Sequence, residues 1–261
     1  MRIIEWPEFL KKGLQAGTGL RAITIGVFDG VHRGHQALIE RIVQSGLEPL
    51  IITFRENHKN RSERQGRLLS FRQKADIFES LGAAVTVAAE LNDSLKNLPG
   101  AEFIRLLWER GGMGFLAIGN NFRCGRSLDT DAAAIQKHNA SKNITTFIAE
   151  PVMEGPLPVS SSRIREAIFL GKLEEAASML GRPYSIDLRQ ETPLTDGQYL
   201  FYKNPGCVLP PDGTYKVMLC GENYTPEKQA EICIEGEAVF LPVQKQNENY
   251  RNSLSIEFCG V

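Results

Sequence analysis

The residues best suited to chemistry lie near the start of the chain. His32 and His35 close the run Arg21-Ala-Ile-Thr-Ile-Gly-Val-Phe-Asp-Gly-Val-His-Arg-Gly-His35. Three residues apart, they share a face in a first helical turn. Two imidazoles there can donate hydrogen bonds to phosphate oxygens and stabilise the charge that builds up in phosphoryl or nucleotidyl transfer. Asp29 suits a helix cap or a contact to a ribose or base. A second group is Pro158-Val-Ser-Ser-Ser-Arg-Ile-Arg165. Ser160, Ser161 and Ser162 open a helix whose first N–H groups and hydroxyls can take phosphate oxygens. Arg163 and Arg165 add positive charge, and a guanidinium suits bidentate phosphate contact. A third group is Asn120-Asn-Phe-Arg-Cys-Gly-Arg126. There Asn121 carries a donor and an acceptor for a ring system, and Arg123 and Arg126 can meet phosphate.

The first group needs a strand and a helix to hold it. Ile23, Ile25 and Val27 alternate as in a buried strand of a parallel sheet. Gly26, Gly30 and Gly34 let the backbone turn tightly and approach a ligand. Leu38 with Ile42, and Ile39 with Val43, then recur at the spacing of a helical stripe. The histidines therefore fall where a strand runs into a helix, whose N-terminus favours phosphate. Zinc would want third and fourth ligands at recognisable spacing, which the sequence lacks. A plain surface strand-turn-helix stays open on these residues alone. The glycine spacing does not match G-x-G-x-x-G, and no G-x-x-x-x-G-K-[ST] occurs.

Beyond this stretch strands and helices alternate. Leu50–Phe54 reads as a second buried strand, so the strand-helix-strand unit implies a right-handed parallel crossover. Residues 55–67 are polar and basic, as in a solvated loop. A helix is expected over 70–82, capped by Ser70 and ended by Gly82, with Ile77, Phe78 and Leu81 inward. Further strands are expected at 83–88, 115–119 and 145–150, and helices at 99–112 and 131–139. In the first of these helices Phe103, Leu106 and Leu107 are expected to face inward. Residues 1–20 form a lead-in that adds a strand or packs on the domain edge. A helix from the serine run and another with Leu173, Ala176, Ala177 and Leu180 on one face complete this part. After Tyr184 helical periods stop. Short β-like runs at 198–202, 213–220, 230–234, 238–242 and 254–258 predict a small antiparallel barrel or half-barrel. The expected fold class is α/β: a Rossmann-like domain over 1–184, then a small antiparallel β domain over 185–261.

The ten residues Gly26 to His35 resemble the H-x-G-H signature of the nucleotidyltransferase superfamily. In the longer form G-x-F-D-G-x-H-x-G-H they resemble the prokaryotic FAD synthetases, usually bifunctional riboflavin kinase/FMN adenylyltransferases. Residues 158–165 resemble the superfamily's second signature, I-S-S-T-x-I-R, with Ser162 for Thr and Arg165 on its arginine. Gly171 to Tyr184 is similar to the family's run ending G-R-P-Y. Gly119, Asn121, Phe122 and Gly125 match V-G-x-[DN]-F-x-F-G, with Cys124 in place of an aromatic. Thr53 and Phe54 match the start of T-F-x-P-H-P, but Glu56 and His58 replace its prolines and Asn57 its histidine.

The resemblance implies the reaction FMN + ATP → FAD + pyrophosphate, with Mg²⁺ accompanying ATP and no covalent enzyme intermediate. It implies His32, His35 and Arg165 as catalytic residues. The ATP side would be Gly26, Phe28, Asp29, Gly30, Gly34, Ser160, Ser161, Ser162 and Arg163. The FMN side would be Thr53, Phe54, Asn57, Asn121, Phe122 and Arg123. Metal ligands stay unassigned. Leu209-Pro-Pro-Asp-Gly-Thr-Tyr-Lys-Val217 resembles a strand of the family's riboflavin kinase barrel. The kinase signature G-F-P-T-A-N does not occur, no acidic base is recognisable, and the segment is shorter than that barrel. The expectation is a reduced kinase-like domain without kinase activity, since phosphoryl transfer rests on positioning and metal-assisted electrostatics.

Composition is ordinary for a soluble globular protein: 42% hydrophobic, 23% charged and a formal net charge of −1. That balance gives no electrostatic case for nucleic acid or an anionic membrane. No apolar run spans a bilayer, and the N-terminus, with Glu5 and Pro7, does not read as a signal peptide. Five scattered cysteines read as reduced thiols, so the cytoplasm is the expected compartment. The expected partners are the small molecules ATP and FMN, and oligomeric state is not fixed. Three rivals stay open. One is a fully bifunctional enzyme. Another is a nucleotidyltransferase acting on a different phosphate such as phosphopantetheine, against which Gly-Arg-Pro-Tyr184 argues. The last is an inactive flavin- or nucleotide-binding regulator, against which His32, His35 and Arg165 argue.

Overall fold

The computed structural model describes residues 1–14, 19–55, 66–188, 194–195, 199–203, 206–221, 226–242 and 255–259. The chain divides into two compact units, Met1–His58 with Ala75–Met153, and Lys59–Lys74 with Glu154–Val261.

The first unit holds β1 (Arg2–Glu5), α1 (Trp6–Lys12), β2 (Arg21–Ile25), α2 (Arg33–Val43) and β3 (Glu48–Phe54). Next come α3 (Phe71–Ser80), which starts in the second unit, β4 (Val85–Ala89), α4 (Asp93–Lys96) and α5 (Gly100–Gly111). It closes with β5 (Met113–Gly119), β6 (Arg123–Cys124), β7 (Thr130–Asp131), α6 (Ala132–Ala140) and β8 (Thr145–Ala149). Six strands form one parallel sheet in the order β1-β4-β3-β2-β5-β8. Helices cover such sheets on both faces, so the central strands carry unbroken burial. Every residue of β2 and of β4 is buried. Even Arg21 is buried, its Nη1 donating to the Gly111 carbonyl at 3.2 Å. The order runs one way from β2 through β3 to β4 and the other way through β5 to β8. Winding therefore reverses between β2 and β5, the place where open α/β sheets bind ligands beyond the strands' carboxyl ends.

The lead-in supplies β1 as an edge strand, as expected, and also α1, which was not. Pro7 sits in the first turn of α1, where its missing N–H costs nothing. Trp6 and Phe9 are buried, and Trp6 lies 5.8 Å from the Phe103 ring. Two inward sets differ from expectation. On α5 Ile104 joins Phe103 and Leu107 in the core while Leu106 is half-buried. On α3 Phe78 is buried, but Ile77 and Leu81 are half-buried, and Gln73 and Lys74 are buried instead. The N-terminal turn of α3 explains this. Ser70 accepts from the Gln73 N–H at 3.1 Å, and Gln73 Oε1 accepts from the Ser70 N–H at 2.9 Å. This reciprocal capping box is further tied by Ser70 Oγ donating to Asp187 at 2.7 Å and Gln73 Nε2 donating to the Ser185 carbonyl at 3.2 Å.

A hairpin of β9 (Met153–Glu154), whose first residue still belongs to the first unit, and β10 (Leu157–Pro158) precedes α7 (Ser161–Phe169) and α8 (Leu173–Leu180) of the second unit. The remaining strands are β11 (Ser185–Asp187), β12 (Leu194–Thr195), β13 (Tyr199–Lys203), β14 (Gly213–Cys220), β15 (Pro226–Glu235), β16 (Ala238–Pro242) and β17 (Ser255–Phe258). They form one antiparallel sheet in the order β11-β17-β14-β15-β16-β13-β12. All five β-like runs fall on strands of this sheet, while β11 and β12 were not expected. Arg67 bridges Cys207 in parallel, with Arg67 N–H on the Gly206 carbonyl at 3.1 Å and Val208 N–H on the Arg67 carbonyl at 3.1 Å. Among the described residues no helix is long and apolar enough to cross a membrane.

Candidate functional site

The strand-to-helix turn after β2 is wound tightly. Phe28, Gly30 and Val31 all have positive φ, at 53°, 85° and 39°. Glycine takes such angles freely, but a β-branched residue does so only when its surroundings force it. Such strain clusters at ligand and active sites. The surroundings are on hand. Gly26 N–H donates to the Ile52 carbonyl at 3.1 Å, and the buried Thr53 hydroxyl donates to the Val27 carbonyl at 3.2 Å. Val31 N–H closes the turn on the Phe28 carbonyl at 3.2 Å.

The turn folds Phe28 back under itself. Its ring is buried and meets Phe78 of α3 edge-on at 5.4 Å. A Cβ on Gly26 would stand 3.2 Å from that ring, so a larger residue would crowd it. On the other side Phe28 meets His35 edge-on at 5.1 Å, and His35 stacks on His32 with centroids 3.6 Å apart and planes 19° apart. His32 is buried and sits at the N-cap of α2, with its carbonyl accepting from the N–H groups of His35 and Gln36 at 2.7 and 2.9 Å. Gly34 makes room for the stack, since a Cβ there would lie 3.3 Å from the His32 ring. The two imidazoles thus lie as a pair at the positive end of a helix dipole. Asp29 is buried within the same turn.

Beside β2 at the reversal of winding, β5 ends at Gly119 and turns through the Phe122 N–H onto the Gly119 carbonyl at 3.0 Å. Asn121 and Arg123 are exposed there, and Phe122 is half-buried against the core. Arg123 lies 3.9 Å from Asp131 across the β6–β7 ribbon. Cys124 is buried, and desolvation, with Asp129 nearby, pushes its thiol up to about 12. Phe54, at the end of β3, is half-buried against the core. Arg55 follows it and pairs with Glu5 through Nε at 3.1 Å, a contact that raises its guanidinium's affinity for the proton. The ends of the expected basic loop are therefore engaged rather than solvated, at Arg55 and at Arg67. Asn57 lies outside the described residues, as do Glu56 and His58.

Most of the sequence-derived candidates are in the first unit: Gly26, Phe28, Asp29, Gly30 and His32 on the turn after β2, Gly34 and His35 in the first turn of α2, Thr53 and Phe54 at the end of β3, Asn121 and Phe122 on the turn after β5, and Arg123 at the start of β6. Ser160, Ser161, Ser162, Arg163 and Arg165 are in the second unit. Ser160 is the N-cap of α7, its oxygen accepting from the Arg163 N–H at 3.3 Å. The Arg163 guanidinium donates to the Leu157 and Pro158 carbonyls at 2.9 and 2.8 Å, and so fastens the β9–β10 hairpin to α7. Arg165 Nε donates to the Gly66 carbonyl at 3.1 Å. Two residues of the site were not assigned to it from sequence. Phe78 was expected to face inward from its helix, but its spacing gave no sign that it would back Phe28 in the site. Gln36 donates through Nε2 to the Val31 carbonyl at 2.8 Å. An amide in the first helical turn that reaches back to the chain before the cap is a pattern legible in sequence.

Comparison with known proteins agrees with this geometry. A family model described as FAD synthetase matches residues 16–163, more than half the chain. A bifunctional riboflavin kinase/FMN adenylyltransferase of Pseudomonas fluorescens is 31% identical over 170 residues, covering 62% of this chain and 55% of its own length. The protein of the same description from Escherichia coli strain K12 is 28% identical over 197 residues, covering 72% of this chain and 62% of its own length. The chain thus spans little more than half the length of these curated relatives. A crystal structure described as a macrolide-efflux protein from Streptococcus pneumoniae superposes with a TM-score of 0.80 at 16% identity, over 99% of this chain and 90% of that one. At that identity the likeness is one of fold alone. A Rossmann-like parallel sheet, the Gly26–His35 signature on its central turn and the family match over residues 16–163 lead to one assignment: the chain belongs to the FAD synthetase family.

Proposed function

We propose that the protein is an FMN adenylyltransferase, making FAD and pyrophosphate from FMN and ATP. The observation that carries this reading is the stacked pair of His32 and His35 at the start of α2, beside the reversal of winding in the sheet. An FMN phosphate oxygen attacks the α-phosphorus of ATP in line. The bond from that phosphorus to the bridging oxygen breaks, and pyrophosphate leaves with its electron pair. His32 and His35 donate to the α-phosphate oxygens and stabilise the charge of the pentavalent state. The tight turn from Gly26 to Gly30, with Phe28 and Asp29, lines the nucleotide's side. Ser160, Ser161, Ser162 and Arg165 offer a helix N-terminus and a guanidinium, both fitted to phosphate oxygens. Arg163 serves that helix by holding its hairpin. Thr53 supports the central turn, and Phe54, Asn57, Asn121, Phe122 and Arg123 are the proposed flavin side. As functional domains, 1–184 carries adenylyl transfer and 185–261 is a kinase-like β domain. The reduced cysteines fit a cytoplasmic site of action.

Among the described residues no group of three or more His, Cys, Asp and Glu could hold a metal ion. The residues described do not form a cage for Mg²⁺, which enters this reading only with the phosphates of ATP. No step is assigned to it.

A second reading, riboflavin kinase activity in the second unit, is favoured by the Leu209–Val217 run, whose later part lies on β14. Against it stands the lack of G-F-P-T-A-N in the sequence. One experiment separates the two. The protein is incubated with ATP and Mg²⁺, with riboflavin in one tube and FMN in another, and the flavins are separated. FAD from FMN alone is the expected result. FMN or FAD formed from riboflavin would establish the kinase, and no product in either tube would overturn adenylyl transfer.

A further inference from the structure

We propose that Gln36 is a positioning residue for His32, an inference that rests on the adenylyl-transfer reading above. Gln36 grips the backbone on both sides of His32. Its side-chain Nε2 donates to the Val31 carbonyl at 2.8 Å, and its own N–H donates to the His32 carbonyl at 2.9 Å. These are the carbonyls of the two peptide units that flank His32. The grip acts on a strained segment. Val31 has a φ of +39°, an angle a β-branched side chain rarely adopts, and rotation of that residue would swing the next one. The His32 ring has a narrow place to occupy, between the face of His35 at 3.6 Å and the bare Cα of Gly34. With the amide bond gone, the helix start still keeps its backbone bonds, but the Val31 carbonyl loses the side-chain bond that ties it to α2. His32 then samples positions off the stack. A misplacement of about an ångström in a group that acts in the transition state costs rate rather than substrate affinity.

The test is Gln36→Met in the full chain, which keeps length and removes the donor. The chain has four histidines, so selectively labelled imidazoles give few signals. The His32 ring signals are expected to move as stacking on His35 is lost, while those of His138 stay. The kcat for FAD formation is expected to fall about tenfold, with KM for ATP and for FMN changing less than about twofold. In a His32→Ala background the same substitution is expected to cost less than about twofold more, since Gln36 acts through a side chain that is already absent. Unmoved His32 signals, or losses that multiply in the double variant, would overturn the proposal. If the wild-type protein makes no FAD, the adenylyl-transfer reading fails, and the imidazole signals still decide whether Gln36 holds His32.

Discussion

His35 is where a single substitution says most. Its ring touches His32 on one side and Phe28 on another, so it shapes the pair as well as half-forming it. His35→Ala is expected to lower FAD formation by about a hundredfold or more, because one oxyanion-type donor is worth about that. A loss under about tenfold, roughly 1.4 kcal/mol, would remove it from the machinery. The fold should survive, because Phe28 is packed on Phe78 rather than on His35 alone. Cys124 makes the opposite case, a thiol whose reactivity is suppressed by its surroundings. Burial pushes its thiol up to about 12, so at pH 8 the thiolate is scarce. Alkylation of the native protein at that pH should leave the Cys124 peptide unlabelled, and labelling should appear only in denaturant, as read by peptide mass. Much at this scale was legible beforehand. The two histidines, three glycines and Phe28 carry a pattern that few other sites share. The strain at Val31 was not legible, because valine ordinarily signals a strand and only the surrounding bonds force it out of one.

Among elements, legibility followed length and periodicity. The expected strands over 50–54, 115–119 and 145–150 stand as β3, β5 and β8: burial inside a parallel sheet leaves apolar runs in β3 and β5, while the edge strand β8, with no buried residue, was marked by its β-branched and aromatic residues. The ribbon β6–β7 and the strands β11 and β12 were missed. Runs of two or three residues hold no period, and what makes them strands is a pairing partner, far along the chain for Ser185 with Glu257 but close by for Arg123 with Asp131 and for Leu194 with Phe201. Helix α3 shows the same effect within a helix that was expected. Its inward face includes Gln73 and Lys74, which no hydrophobic pattern would choose. Gln73 belongs there because the capping box and the bonds to Ser185 satisfy its polar atoms. Ser70 is therefore the residue on which the start of α3 depends. Ser70→Ala removes the cap on Gln73 N–H and the bond to Asp187, and should cost about 2–3 kcal/mol. Urea unfolding is expected to show a lower midpoint with an unchanged slope. Ser70→Thr, which keeps the hydroxyl, should recover most of the loss.

The whole chain departs most from what the sequence suggested. The change of pattern after Tyr184 marks where helices give way to strands, and it suggested a boundary there. Compactness divides the chain differently: residues 59–74 and 154–184 group with the antiparallel sheet. The reason lies in contacts between segments too distant for any local pattern. Arg67 pairs with Cys207, Ser70 and Gln73 with Asp187 and Ser185, and the Tyr184 hydroxyl with the Val208 carbonyl at 2.6 Å. Tyr184 also stacks on Phe258 at 5.8 Å. A fragment ending at Tyr184 would keep the strands of the six-stranded parallel sheet and strip Arg67, Ser70, Gln73 and Tyr184 of all these partners; Tyr184 follows α8, and Arg165 of α7 is bonded to Gly66 beside Arg67. Hydrogen exchange of the fragment should then be uneven. Amides of β2, β3 and β5 are expected to keep their protection, while those of α7, α8 and the start of α3 should exchange at least about tenfold faster than in the full chain. Because α7 carries Ser160–Ser162 at its start together with Arg165, FAD formation by the fragment should fall along with that protection. Equal protection throughout the fragment would mean that residues 1–184 stand alone as a domain, and that the bonds of Arg67, Ser70, Gln73 and Tyr184 to the antiparallel sheet add little to α7, the helix proposed to present the second phosphate-binding group.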